Sequence, residues 1–167
     1  MDLNGRPDPP MEADEKETLT GFLDFQRATL RWKSDGLTPE QLGVPAVEPS
    51  TMTLHGLIRH LTEVEIGWFV GTFTDEPVKY AYSSDERPDA DWTDLDPAQY
   101  ADDLRRYDEA VEKARAVVAG LKPGDVGNDE GRPVTLRWVL AHMIEEYARH
   151  NGHADFLRER IDGAIGE

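Results

Sequence analysis

The stretch PVTLRWVLAHMIEEYARHNGHADFLRERIDG, residues 133–163, decides the fold predicted for this chain. Thr135 is a preferred residue type just before a helix, and Gly163 is a preferred type just after one. Between them, apolar side chains recur at steps of three and four, the period of an α-helix with one buried face. They are Leu136, Val139, Leu140, Met143, Tyr147, Ala154 and Leu157. The stretch therefore predicts a long helix from Thr135 to about Ile161.

Three further segments have the same helical period. They run from about Asp14 to Ser34, from after Thr53 to about Phe73, and from the Asp96-Pro97 cap to about Gly120. TPEQL, residues 38–42, has the pattern of a capping box and predicts one short turn. No segment alternates convincingly with period two, and KPGDVGNDEGRPV, residues 122–134, is interpreted as a turn-rich loop. We predict an all-α four-helix bundle with long crossover loops, and an irregular all-α domain is the alternative.

Turn-forming residues suggest the domain boundaries. Residues 1–12 contain three prolines and a glycine and are predicted to be a flexible N-terminal tail, and residues 13–167 a single domain. The segment 74–96 has no helical period, and a loop of this length in a compact domain is usually functional or disordered. It carries Tyr80, Tyr82 and Trp92 among acidic residues. We expect it to be only partly ordered and to lie near the open end of a site as a lid.

The composition excludes several classes of function. The chain has 167 residues and a net charge of −16, which repels phosphate backbones and anionic lipid, so nucleic acid and membranes are not expected partners. No apolar run is long enough for a membrane span, and the first residues lack the pattern of a signal peptide, so we expect a cytoplasmic protein, monomeric or homodimeric. There is no cysteine, so any thiol chemistry needs a thiol from outside the chain.

The last predicted helix also carries the residues that suggest chemistry. On a helical wheel, His150 lies near the middle of the apolar stripe and Glu146 lies at its edge, one turn earlier. Glu145 points the other way, while His142 and His153 lie on the flank of the stripe. A histidine among apolar residues is more often a core residue than a ligand. However, a carboxylate and an imidazole four residues apart can bind one ion. A salt bridge to an arginine is the rival explanation for the inward carboxylate.

A third ligand is expected from the second long helix. His60 is the preferred candidate, because it lies on the flank of that helix's apolar stripe. His55 is the rival, but it groups with Arg59 and Thr62 on a face that is interpreted as surface. Glu65 lies inside the stripe and either supports a ligating histidine or pairs with an arginine. Trp92 is a further pocket candidate.

Two stretches carry a family resemblance: TLHGLIRHLTEVEIGWF at 53–69 and the quoted stretch at 133–163. The chain resembles the DinB/YfiT-like superfamily of metal-dependent four-helix proteins, from about Glu12 to Gly163. It is most similar to a branch of small proteins from mycothiol-producing bacteria. In that superfamily the second helix contributes one metal-binding histidine and the fourth contributes two ligands four residues apart. The resemblance thus implies His60, Glu146 and His150 as ligands. Many members have histidine at the position of Glu146, whereas the mycothiol-dependent maleylpyruvate isomerase branch also has a Glu-x-x-x-His pair. Asn151-Gly152-His153 replaces the usual Arg-Gly-Gln.

The resemblance also implies a type of reaction. Characterised members move low-molecular-weight thiols such as mycothiol onto or off small electrophiles. We therefore expect a thiol S-transferase with a small-molecule thiol and an electrophile as partners, and with a divalent metal, Zn²⁺ before Ni²⁺ or Fe²⁺. A non-catalytic metal- or ligand-binding stress protein is the first alternative. A protein without metal, whose polar cluster is satisfied by ion pairs, is the second.

Overall fold

The computed structural model describes residues 5–166, and this part of the chain is mostly helical. Its five α-helices are α1 (Glu15–Ser34), α2 (Pro39–Leu42), α3 (Leu54–Glu65), α4 (Tyr100–Ala119) and α5 (Leu136–Asp162). A π-helical segment, Ile66–Gly71, continues α3, and a 3₁₀ turn, Pro97–Gln99, leads into α4. Two strands, β1 (Val126–Asp129) and β2 (Arg132–Thr135), lie between α4 and α5. Within residues 5–166, every helix is too short or too polar to span a bilayer.

Side-chain caps stand at the starts of α1, α3 and α5, whereas the predicted cap Asp96 begins the 3₁₀ turn that leads into α4. Asp14 accepts a hydrogen bond from the Glu17 amide at 2.8 Å, and Thr53 accepts one from the Gly56 amide at 2.9 Å. Thr135 caps α5, and Gly163 follows it with φ of 79°, a left-handed conformation that glycine adopts without strain. The predicted capping box of α2 is also present. Local side-chain chemistry thus determines these boundaries.

The strands correct the prediction of a turn-rich loop at residues 122–134. β1 and β2 pair antiparallel, with Val126 opposite Thr135 and Asp129 opposite Arg132. Glu130 and Gly131 connect them with φ values of 50° and 88°, the geometry of a tight two-residue hairpin turn. The strands have four residues each and are rich in polar residues and glycine. A segment this short and this exposed has no clear apolar alternation, so the sequence pattern missed it.

The long helices pack side by side around one apolar core. α1 and α5 run parallel, because Glu15 pairs with Arg137 at one end and Lys33 pairs with Asp155 at the other. α3 runs antiparallel to α5, because His60 lies beside His150 whereas Trp68, just after α3, lies beside His142. The core between the helices includes Leu57, Leu61, Val111, Leu140 and Met143. This mostly helical content agrees with the predicted all-α class. The arrangement as a four-helix bundle stays a prediction.

The N-terminal segment contacts α1 through Arg6 and through Pro10, which lies against Gly21. Arg6 is buried, and its guanidinium lies 4.7 Å from the ring centres of both Phe25 and Trp32. Cation–π contacts of this kind contribute about 0.5–2 kcal/mol. Residues 1–4 lie outside the described part, so the flexibility predicted for the tail stays a prediction.

Candidate metal centre

His60, Glu146 and His150 converge between α3 and α5. One ligand atom from each lies within 4.8 Å of the others. Oε1 of Glu146 lies 3.1 Å from Nε2 of His150 and 3.6 Å from Nε2 of His60. Glu146 and His150 share a face because they are four residues apart on one helix. His60 joins them because α3 crosses this face in the opposite direction.

The three side chains are partly shielded from solvent. The exposed fractions are 9% for His150, 21% for Glu146 and 22% for His60. Burial, followed by the proximity of His60, lowers the pKa of His150, although the Glu146 carboxylate acts in the opposite direction. His150 is therefore neutral at pH 7, which is the form that can donate a lone pair to a metal.

The donor set fits a divalent ion. Two imidazole nitrogens and one carboxylate oxygen are a known ligand combination for Zn²⁺, with bonds of about 2.0–2.2 Å. Ligand atoms at these bond lengths and tetrahedral angles lie roughly 3.3–3.5 Å apart. The observed separations of 3.1 and 3.6 Å from the Glu146 oxygen lie on either side of this spacing, and all three ligand atoms lie within 4.8 Å of one another. Three protein ligands would leave one tetrahedral position for a small molecule.

The segment 74–96 supplies two residues next to this cluster. Nδ1 of His60 lies 2.8 Å from Oδ2 of Asp91. The Trp92 ring stacks on the His60 ring with centres 4.5 Å apart and an angle of 29°, and lies 5.9 Å from the His150 ring. The predicted position of this segment near His60 and His150 agrees with the structure. Its role as a lid and its partial order stay predictions.

The remaining histidines of α5 occupy the flank, as the wheel indicates. His153 is exposed and its Nδ1 lies 3.4 Å from Nδ1 of His150. His142 stacks on Trp138 at an angle of 15° and also contacts the Trp68 ring, with centres 4.6 Å apart. Trp138 is 49% exposed. The rings therefore form an aromatic cluster along the same seam between α3 and α5, one to two turns from Glu146.

The prediction that His55 lies on the surface is wrong. His55 is fully buried, and its Nε2 lies 2.8 Å from Oδ2 of Asp103 on α4. Burial alone would raise the pKa of the Asp103 carboxyl, but hydrogen bonds with His55 and Tyr82 outweigh it and lower that pKa. Arg59 and Thr62 are buried too. A helical wheel assumes one buried face, whereas α3 is covered on further sides by α4 and by the segment 74–96.

Glu65 has partners in the core rather than among the histidines. Its two carboxylate oxygens each accept a hydrogen bond of 2.7 Å from Arg27, and the Tyr147 hydroxyl donates another of 2.6 Å. The desolvation of Arg27 is more than offset by Glu65, so the pKa of the guanidinium is raised. The sequence left two interpretations of Glu65 open, support of a ligating histidine and pairing with an arginine. The observed contacts agree with the second.

Sequence reasoning did not single out Asp91. It lies in DERPDADWTDLD, residues 85–96, where six of the twelve residues are acidic. Neither spacing nor helical period distinguishes one aspartate from another in such a loop. The adjacent Trp92 was the only signal, because an aromatic residue in an acidic loop suggests a buried contact.

The fold and this cluster define a helical protein with a candidate divalent-metal site between two antiparallel helices. A model of the mycothiol-S-transferase family matches residues 18–163, so the chain belongs to that family. The match confirms the resemblance to the DinB/YfiT-like superfamily. A search of curated proteins finds no significant match.

Proposed function

We propose that this protein is a metal-dependent thiol S-transferase that joins mycothiol or a related thiol to a small electrophile. His60, Glu146 and His150 would bind one divalent ion, Zn²⁺ before Ni²⁺ or Fe²⁺. The convergence of these three side chains in a member of the mycothiol-S-transferase family carries the proposal. The chain has no cysteine of its own, so the reacting sulfur belongs to the co-substrate.

When bound, the ion would supply a Lewis acid that favours the thiolate form of a thiol at its remaining position. The residues around that position would bind the ion and shield it from water. The neutral His150 and the His60 ring offer lone pairs, and the Glu146 carboxylate offsets part of the ionic charge. Trp92 covers one face of His60 and limits access by water. The conjugation itself forms a sulfur–carbon bond as the leaving group departs with the electron pair, while the thiol proton is released to solvent.

Metal analysis and a conjugation assay test this proposal on untagged protein. We expect one equivalent of divalent metal and an acceleration of more than about tenfold for mycothiol with a haloalkyl electrophile. Metal without turnover would support a non-catalytic binding protein, such as a stress-response protein. Protein that binds neither Zn²⁺, Ni²⁺ nor Fe²⁺ would support a cluster satisfied by ion pairs alone.

Metal affinity is expected to fall as the pH drops. Protonation removes the lone pair by which an imidazole binds metal, and free histidine protonates below about pH 6.5. Because the pKa of His150 is lowered, its protonation begins at a lower pH than that of free histidine. Zn²⁺ should therefore remain bound at pH 7 and be lost progressively as the pH falls from about 6.5 to 5. A chelator competition across this range measures it, and constant affinity down to pH 5 would contradict the ligand assignment.

The architecture and location belong to the same proposal. We propose that α1, α3, α4 and α5 form a four-helix bundle, supported by the parallel pair α1 and α5 and the antiparallel pair α3 and α5. We propose the cytoplasm as the location, where the low-molecular-weight thiol that the proposed reaction consumes would be available.

A further inference from the structure

Asp91 has the position of a group that orients a metal ligand. Its Oδ2 lies 2.8 Å from Nδ1 of His60, while the other ring nitrogen, Nε2, faces Glu146 at 3.6 Å. The carboxylate accepts a hydrogen bond only if Nδ1 carries the proton. Nε2 then has the free lone pair, directed at the cluster. The contact therefore selects one of the two tautomers of His60.

The burial of the Asp91 carboxylate also lowers the stability of the fold. It is 5% exposed, and its Oδ1 is buried without a hydrogen-bond partner among residues 5–166. Removing a carboxylate from water destabilises a fold unless a partner offsets the cost. If this position only closed a loop, a smaller or apolar residue would make the fold more stable. The presence of a buried acid here is therefore explained by its contact with His60.

Two residues of α3, Arg59 and Gly56, contact the segment on both sides of Asp91. Arg59, adjacent to His60 in the chain, donates hydrogen bonds to the carbonyls of Ala90 at 2.6 Å and Thr93 at 3.3 Å. Trp92 packs against α3 at Gly56, where an added methyl group would lie only 3.1 Å from the ring. These contacts fix the segment on α3, so the Asp91 carboxylate is held next to the His60 ring.

We propose that Asp91 is the positioning residue of this site and that docking of the segment 74–96 and metal binding are coupled. The inference rests on the proposed metal site at His60, Glu146 and His150. Asp91 orients the His60 ring, holds the proton on Nδ1 and makes Nε2 a stronger donor, as carboxylates do for ligating histidines. Coupling is reciprocal, so a bound ion also stabilises the docked segment.

The tautomer of His60 tests the first part in metal-free protein. We expect ¹⁵N chemical shifts of the ring to show a protonated Nδ1 and a bare Nε2, with the signal identified by its loss in His60→Gln. In Asp91→Ala the ring should shift toward the Nε2-protonated form. A wild-type ring already protonated on Nε2 would overturn the assignment, whether or not the protein binds metal. This readout therefore distinguishes failure of the inference from failure of the proposed function.

Zn²⁺ affinity provides the second measurement. Asp91→Ala should weaken binding by about 10- to 100-fold, the usual effect of removing a carboxylate behind a ligating histidine. Asp91→Glu should recover part of the loss, since it restores the charge. Asp89→Ala is the matched control, because it removes an exposed acid two residues away in the same segment. Equal affinities for the Asp91→Ala and Asp89→Ala variants would contradict the positioning role.

Amide hydrogen exchange tests the coupling. Zn²⁺ should slow exchange across residues 80–95 of the wild-type protein, because ion and docked segment stabilise each other. In Asp91→Ala at saturating Zn²⁺ this protection should be absent, while exchange in α1 stays unchanged. Protection of equal size in both proteins would show that the segment responds to the ion without Asp91 and would overturn the coupling.

Discussion

Replacing His150 with alanine is expected to abolish stoichiometric metal binding. The change removes one of the three proposed ligands and leaves Glu146 and His60 as the only two. His150 is also the most shielded of the three, with 9% of its side chain exposed. Water does not replace a buried imidazole as a ligand without a large loss of affinity. Elemental analysis of untagged protein, after dialysis against one equivalent of Zn²⁺, measures the effect.

Two variants on the same helix serve as controls. Glu145→Ala should keep full metal content, because the Glu145 side chain is 54% exposed and bonds to Arg149 at 2.6 Å. His142→Ala should also keep it, since that ring stacks on Trp138 and contacts the edge of Trp68 instead. Loss of metal in His142→Ala together with full metal in His150→Ala would show that the ligand set is wrong.

Replacing Arg27 with methionine is expected to lower the free energy of unfolding by about 3–5 kcal/mol. The Arg27 side chain bonds to both oxygens of Glu65, which is fully buried. Methionine fills part of the volume but leaves the carboxylate in the core with only the Tyr147 hydroxyl as partner. The cost of an unpaired buried charge exceeds the usual effect of a single substitution. Urea denaturation at pH 7 measures it.

Arg31→Met is the matched control for this prediction. Arg31 lies one turn later on α1 and pairs with Asp108 at 3.6 Å, with exposed fractions of 42% and 51%. Exposed pairs contribute about 0–1 kcal/mol, so this variant should be close to wild type. Adding Glu65→Gln to Arg27→Met should recover part of the lost stability, because it removes the unpaired charge. Equal effects of Arg27→Met and Arg31→Met would contradict the role of the buried pair.

The helices and their caps could be predicted from the sequence because their causes are local. Side chains at steps of three and four share a face, and residues such as Asp14, Thr53 and Thr135 bond to amides within the next turn. The pairing of Glu146 with His150 follows from the same spacing. Their separation of 3.1 Å is therefore a property of one helix.

The hairpin and the environment of His55 could not be predicted in this way. β1 and β2 each have four residues, too few for alternation to exceed chance. His55 has the surroundings of a surface residue on a wheel, yet Asp103 and Tyr100 of α4 contact it and it is fully buried. Burial of that face depends on residues about 30 to 50 positions away along the chain, which periodicity within α3 does not contain.

The sequence by itself determined the helical class, the boundaries of the long helices and the inward pair on α5. Only the tertiary structure decided that His55 is buried against Asp103, that Arg27 pairs with Glu65, and that Asp91 contacts His60. The physical reason is the range of the interactions. Helical period and capping act over one turn, whereas a hydrogen bond between two side chains distant in sequence depends on how the helices and loops cross. Many acidic residues of this chain also have the same chemistry as Asp91, so residue type alone does not identify the one that contacts His60.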